Sequence, residues 1–249
     1  MTRAQQPTAS PWQQTIKPLL LRVALKGGGL LLLLGGFYWL WLQTTTLLPV
    51  KQISVTGVMQ QVSGAELRDA VKPLLQDGFI RMDVQAIRDA AEDLPWVSRV
   101  TVRRQWPDTL ALVVEEQQLL ARWGDDALVN LRGELFYPSN IEVDAAVPRF
   151  DGVDGLSGTM AEAYQQYQSI LADVDLSIAV IRVSERRAWV VELVNGIELV
   201  LGRGPQSQRI QRFITVYRGE LAEKAERISR VDLRYSNGFS VSWKENKVG

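Results

Sequence analysis

Between Lys26 and Lys51 lie 24 residues without a charge, GGGLLLLLGGFYWLWLQTTTLLPV, and this run constrains the chain more than any other feature. As a helix rising about 1.5 Å per residue it reaches roughly 36 Å, enough to cross a hydrocarbon core of about 30 Å. The span can also be drawn from Leu19 to Leu42, with Arg22 and Lys26 snorkelling to the interface. Phe37, Tyr38, Trp39 and Trp41 cluster toward one side, where an interfacial aromatic belt sits. A cleavable signal peptide has an apolar region of only about 7–15 residues and a small-residue cleavage site. This run is longer, and no Ala-x-Ala follows it. Nor do any two of its five glycines stand four apart, which excludes a Gly-xxx-Gly dimer face.

Charge gives the orientation. Arg3, Lys17, Arg22 and Lys26 are the only charges before Lys51, and the first acid is Glu66. The basic flank predicts a cytosolic N-terminus and a single membrane pass, with about 200 residues exported. Of 28 basic residues, those four precede the run, so 24 bases face 28 acids from Lys51 onward, a net charge of −4. The whole chain is neutral, which argues against a broad nucleic-acid-binding surface. It has neither cysteine nor histidine, so disulfides, thiolate nucleophiles, Ser-His-Asp triads and Cys- or His-ligated metals are excluded.

The remaining candidates for chemistry are weak. Glu115 and Glu116 are adjacent on an expected strand and point to opposite faces, so they cannot act as a pair. Asp125 and Asp126 sit in a polar turn. Gly202-Arg203-Gly204 lacks the third glycine of a dinucleotide loop and the lysine of a P-loop. Arg103-Arg104 and Arg186-Arg187 each split across two strand faces. The chain reads as a non-enzyme without a cofactor.

The exported part forms two blocks. In the first, Ile53-Ser54-Val55-Thr56 alternates as a strand and ends at Gly57; Ser63 and Glu66 have capping-box spacing, and Leu67, Val71, Leu74 and Leu75 form a helical stripe. Asp77-Gly78 breaks that helix. Asp83 caps a second one carrying Val84, Ile87 and Ala91, which stops before Pro95. A strand beginning at Val97, a turn at Trp106-Pro107-Asp108-Thr109 and a return strand from Leu110 to Glu115 complete the order β-α-α-β-β. The second block predicts helices over about 159–172 and 206–221. Its strands are expected at Ile178–Val183, Ala188–Val194, Ile197–Leu201, Ile228–Tyr235 and Phe239–Trp243, with turns at Asn195-Gly196 and Asn237-Gly238. The fold class is α+β: a mostly antiparallel sheet with two helices packed against it.

The last strand is the best interaction candidate, because a sheet edge offers unpaired backbone groups to which a partner adds a strand. A two-residue turn at Asn237-Gly238 sets Phe239, Val241 and Trp243 on the face opposite Val231, Leu233 and Tyr235. A three-residue turn unites all six on one face.

The first block resembles a POTRA domain, through Ile53-Ser54-Val55-Thr56-Gly57, Pro95-Trp96-Val97 and Val100-Thr101-Val102-Arg103-Arg104-Gln105-Trp106-Pro107. With the membrane helix before it, the chain over about 20–243 resembles the bacterial FtsQ/DivIB cell-division family. Leu120-Ala121-Arg122-Trp123, Leu131-Arg132-Gly133-Glu134-Leu135-Phe136, Leu201-Gly202-Arg203-Gly204 and Val231-Asp232-Leu233-Arg234-Tyr235 match that family's pattern in order. The resemblance implies a divisome scaffold whose C-terminal hairpin docks FtsB, itself coiled with FtsL, and which helps control septal peptidoglycan synthesis. By position it implies partner-binding roles for Arg234, Tyr235, Gly238, Phe239, Val241 and Trp243, with Arg187 as a basic residue on an earlier strand. The sequence Ser236-Asn237-Gly238-Phe239 departs from the family in carrying a large Phe.

The expected organisation is a disordered basic cytosolic tail at 1–26, a transmembrane helix at 27–50, a POTRA domain at 51–118, a β domain at 119–243 and a tail at 244–249. The expected location is the bacterial inner membrane at midcell, with the C-terminal domains periplasmic. The rival readings are a POTRA-bearing factor of outer-membrane assembly or secretion, and a tethered carboxylate-dependent hydrolase acting on the cell wall.

Overall fold

The computed structural model describes residues 28–41, 49–203 and 206–244. The expected tail at 1–26, residues 245–249 of the expected tail at 244–249, and residues 27 and 42–48 of the apolar segment lie outside the described residues. Within that segment residues 28–41 form a helix, α1, with every side chain exposed. Among the described residues no helix is long and apolar enough to cross a membrane.

The chain forms two compact units. Of the described residues, one comprises those up to Gly57 together with Gly64–Ala91 and Val100–Val113; the other comprises Val58–Ser63, Glu92–Arg99 and those from Val114 onward.

The β-α-α-β-β order, plus one short helix, is β1 (Gln52–Thr56), α2 (Gly64–Val71), α3 (Gly78–Arg81), α4 (Val84–Glu92), β2 (Val97–Gln105) and β3 (Thr109–Glu116); the first unit holds these elements except Glu92, the first three residues of β2 and the last three of β3, which belong to the other. Ser63 immediately precedes α2, whose Leu67 and Val71 are buried, and a 3-10 turn, Lys72–Leu75, extends it. The expected break at Asp77-Gly78 is real: Gly78 adopts φ +74°. What the pattern did not reveal is the four-residue α3 that follows, which sinks Phe79 completely. Asp83 caps α4 as expected, its Oδ1 accepting the N–H groups of Gln85 at 2.8 Å and Ala86 at 3.2 Å. The strand order is β1-β3-β2, with β1 parallel to β3 and Gln52 opposite Thr109. Leu67, Val71, Phe79, Ile87 and Ala91 from the helices and Met82 between α3 and α4 are buried, as are Val100, Val102, Leu110 and Leu112 from the strands.

The second unit holds a nine-stranded sheet. Its strands are β4 (Leu119–Trp123), β5 (Ala127–Asn130), β6 (Leu135–Phe136), β7 (Arg149–Asp151), β8 (Ile178–Val183), β9 (Trp189–Leu193), β10 (Glu198–Gly202), β11 (Ile228–Asp232) and β12 (Ser240–Trp243). Their spatial order is β12-β11-β10-β9-β8-β7-β4-β5-β6. The sheet is mixed: β4–β7, β7–β8 and β10–β11 are parallel and the other five pairs antiparallel. Two helices pack with it, α5 (Ser157–Leu171) and α6 (Ser207–Val216), the latter continued by a π turn to Leu221 and a 3-10 stretch to Arg227. Alternation sorts the strand faces. Ile181, Val183, Val191, Leu193, Leu199, Leu201, Val231 and Leu233 bury against Met160, Tyr167, Leu171, Ile210, Phe213 and Ile214.

The other strand face carries a ladder of ion pairs. Arg149 meets Asp125 at 3.1 Å and Asp151 at 2.7 Å; Arg182 meets Glu192 at 2.5 Å and approaches Asp151 and Glu198 at 3.9 Å; Arg230 meets Glu198 at 3.3 Å. The hairpin at Asn195-Gly196 forms with a three-residue loop, Gly196 at φ +83° and Leu193 donating its N–H to the Ile197 carbonyl at 2.9 Å.

Candidate partner-binding edge

β12 is an outer strand of the nine-stranded sheet, paired on one side with β11. Which of its backbone groups face outward follows from its neighbours. Leu233 N–H donates to Val200 O at 2.9 Å, toward β10, so alternate residues Asp232 and Arg230 turn their backbone groups toward β12. Their partners are Ser240 and Ser242, and the Ser229 hydroxyl also donates to Ser242 O at 3.0 Å. Beyond them Lys244 N–H donates to Arg227 O at 2.6 Å. The backbone N–H and C=O groups of Val241, between Ser240 and Ser242, therefore point away from the sheet, the arrangement a partner strand needs.

Side-chain parity is settled by register. Val231 stands opposite Val241 and Asp232 opposite Ser240, so residues Leu233 to Phe239 form a seven-residue loop. Neither the two-residue nor the three-residue turn forms at Asn237-Gly238, and Phe239 and Val241 lie on the core face with Val231 and Leu233. Phe239 and Val241 are half-buried against the core, the Phe239 ring lying edge-on to Phe213 at 6.3 Å. The cause is tertiary. The Arg212 guanidinium donates to the Ser236 carbonyl and Phe239 buries part of its ring against Phe213, and both contacts hold the chain in the wider loop. Gly238 has open space around it and no positive φ, so no turn geometry requires it.

Two aromatics remain outside. Tyr235 is 57% exposed in the loop, and Trp243 is 45% exposed with the Arg227 guanidinium 6.0 Å from its ring. A bulge between Ile228 and Arg230 breaks the regular alternation beside Trp243: Ile228, directly opposite, is fully buried while Trp243 stays out.

Arg234 leaves β11 and folds back on Asp232. Its Nε donates to Oδ1 at 2.9 Å, its second guanidinium nitrogen to Oδ2 at 2.6 Å, and its backbone N–H to Oδ1 at 3.1 Å. The guanidinium hydrogen bond is the main reason the Asp232 carboxyl is held below the usual range and Arg234 above its own. The stem of Arg234 crosses Gly202, where an added Cβ would stand 3.0 Å from Arg234 Cγ.

Arg187 is not on a strand. It occupies the turn between β8 and β9 at φ +58°, donating its N–H to Ser184 O at 2.8 Å. Trp189 pairs with Gly202, and Val200 with Asp232, so Arg187 and Arg234 lie at the same end of the sheet. β9 and β11 are two strand spacings apart, about 10 Å.

Glu115 and Glu116 diverge as their strand demands. Glu116 accepts the N–H groups of Gln60 at 2.9 Å, Gln61 at 3.0 Å and Val62 at 2.8 Å, a carboxylate seated in a nest of amides. It helps line a cleft of about 900 Å³ with Trp96, Ser98, Asn130 and Arg132. There Asn130 donates to Gln117 and Glu134, and Arg132 to Ser98 and Glu134, so these groups are committed to one another.

Comparison with known proteins agrees with this architecture. The FtsQ-type POTRA domain model matches residues 48–117, and the model of the cell division protein FtsQ/DivIB C-terminal region matches residues 121–234, ending before β12. A protein of Allochromatium vinosum named cell division protein FtsQ is 37% identical over 224 residues, covering 90% of both chains. Proteins of the same name from Shewanella oneidensis and Vibrio cholerae are 37% and 33% identical, covering 82% and 86% of this chain and 77% and 83% of their own. With both family models matched in order and relatives of this likeness along most of its length, the chain belongs to the FtsQ family of bacterial cell-division proteins.

Proposed function

We propose that this chain is a non-enzymatic scaffold of the division machinery, held in the inner membrane by its uncharged segment, with both exported units in the periplasm. It binds FtsB, and through it FtsL, by accepting an FtsB strand alongside β12, and so helps control septal peptidoglycan synthesis. The observation that carries the reading is the outward backbone of Val241 on an outer strand flanked by exposed aromatics. Tyr235 and Trp243 serve as anchors, because large half-exposed rings beside an open edge are where binding energy concentrates. Arg234, and Arg187 at the same sheet end, supply charge to a partner carboxylate, and Arg234 then exchanges Asp232 for it. Phe239 and Val241 act from beneath: packed on the core, they hold the edge flat. Gly238 leaves open space beside the strand for the partner's first residues.

Photo-crosslinking in dividing cells tests this. A crosslinker at Tyr235 or Ser242 is expected to trap FtsB, and one at exposed Glu223 on the 3-10 stretch to give much less. Equal FtsB adducts at all three positions, or none at Tyr235 and Ser242, would contradict it.

A further inference from the structure

We infer that the end of the first unit carrying Trp106, Ile80 and Arg81 is a lipid-binding surface that lies in the headgroup layer of the bilayer. The inference rests on the reading that the uncharged segment anchors the chain.

Trp106 sits in the turn between β2 and β3 and is 67% exposed, yet its ring is fixed edge-on to buried Phe79 at 5.1 Å. Ile80, next to Phe79 on α3, is 47% exposed. Two separate elements thus hold large apolar side chains outward, Trp106 resting on Phe79 and Ile80 next to Phe79 in the chain, unlike scattered surface residues. Cations border them. The Arg81 guanidinium lies 4.8 Å from the ring centre of Trp41 on α1, Arg104 donates to the Met82 carbonyl at 2.7 Å, and Lys51 meets Asp108 at 3.2 Å. The acids nearest in sequence are Asp77 and Asp83, flanking α3, and Asp108, already paired.

The path of the chain says what covers this patch. Lys51 N–H donates to Asp108 O at 2.9 Å and Gln52 stands opposite Thr109, so the chain leaving the apolar segment enters the sheet beside the turn that bears Trp106. Trp41 and Lys51 are ten residue steps apart, at most about 35 Å of extended chain. A patch tethered so closely meets the bilayer surface at high effective concentration. An indole and an aliphatic wedge ringed by arginine and lysine match the chemistry of that surface: apolar bodies settle about 5–10 Å into the headgroup boundary while the cations meet phosphates.

The chain has no cysteine, so one introduced cysteine is a unique labelling site. The full chain carrying Ile80→Cys, labelled with an environment-sensitive dye, is reconstituted into phosphatidylcholine–phosphatidylglycerol vesicles. Asp89→Cys, at an exposed position on α4, provides the comparison. The label at position 80 is expected to shift to the blue. Shallow spin-labelled lipid should quench it several-fold more than the label at 89, and Trp106→Glu should remove most of that difference while the chain still floats with vesicles. A chain that floats with the position-80 label in water, or with equal quenching at 80 and 89, overturns the lipid surface and leaves anchoring intact. A chain that does not float overturns anchoring as well.

Discussion

Single residues fix this fold where the backbone has no alternative. Gly133 closes the turn from Asn130 to Glu134 at φ +79°, its N–H donating to Asn130 O at 2.9 Å, while the Asn130 side chain accepts the N–H groups of Arg132 and Glu134, each at 2.9 Å. A Cβ on Gly133 would stand 2.4 Å from the Cα of Gly158 in α5, and backbone on both sides leaves nothing flexible to yield. Gly133→Ala is therefore expected to lower stability by about 2–4 kcal/mol, combining left-handed strain with overpacking, as measured by urea unfolding. The turn is written in the sequence as Asn-x-x-Gly, but its contact is not, because Gly158 lies 25 positions away on another element.

At the scale of elements, local signals were legible and long-range ones were not. Asp83 announced α4, and Asn195-Gly196 announced the β9–β10 hairpin, because the atoms involved are two to four residues apart. Removing the cap by Asp83→Ala leaves two amide donors of the first turn without their side-chain acceptor, and is expected to cost about 1 kcal/mol in thermal unfolding. The last hairpin misleads for the opposite reason. Asn237-Gly238 is a strong turn signal, but Phe213, Arg212 and Asp232 hold Phe239, Ser236 and Arg234 in a wider loop. The register that follows places Phe239 and Val241 over the core and leaves Tyr235 and Trp243 as the exposed aromatics. Alternation along β12 gives two candidate faces; only the position of α6 decides between them. The family resemblance carries Arg187 onto a strand by position, whereas its left-handed backbone sets it in the turn before β9.

At the scale of the molecule, composition sets how stability responds to pH. Without histidine or cysteine, no side chain with an ordinary pKa titrates between about pH 5 and pH 9. Asp232 is held down chiefly by Arg234, and Glu134 chiefly by Arg132 and then Asn130. Their folded pKa values lie below the unfolded ones, so their contribution is complete above the unfolded carboxylate range and is lost as pH falls through the folded values. Burial pushes Tyr167 up to about 12, so its contribution is complete below about pH 10 and is lost as pH rises toward that value. The expected profile of melting temperature is flat from about pH 5.5 to 9.5, falling on the acid side first. A slope centred near neutrality would show that some buried group titrates there.

On the proposed reading the chain works by lending its sheet edge, and Val241 carries the outward backbone of that edge. Val241→Pro removes an N–H that points outward, leaves the β11 ladder through Ser240 and Ser242 in place, and puts a ring where a partner strand would lie. The decisive measurement is the affinity of the purified full chain and of this variant for an FtsB–FtsL complex, with circular dichroism and melting temperature confirming that both are folded. Strand addition at β12 predicts that the folded variant binds at least about tenfold more weakly, a change of 1.4 kcal/mol. Unchanged affinity in a folded Val241→Pro chain would contradict it.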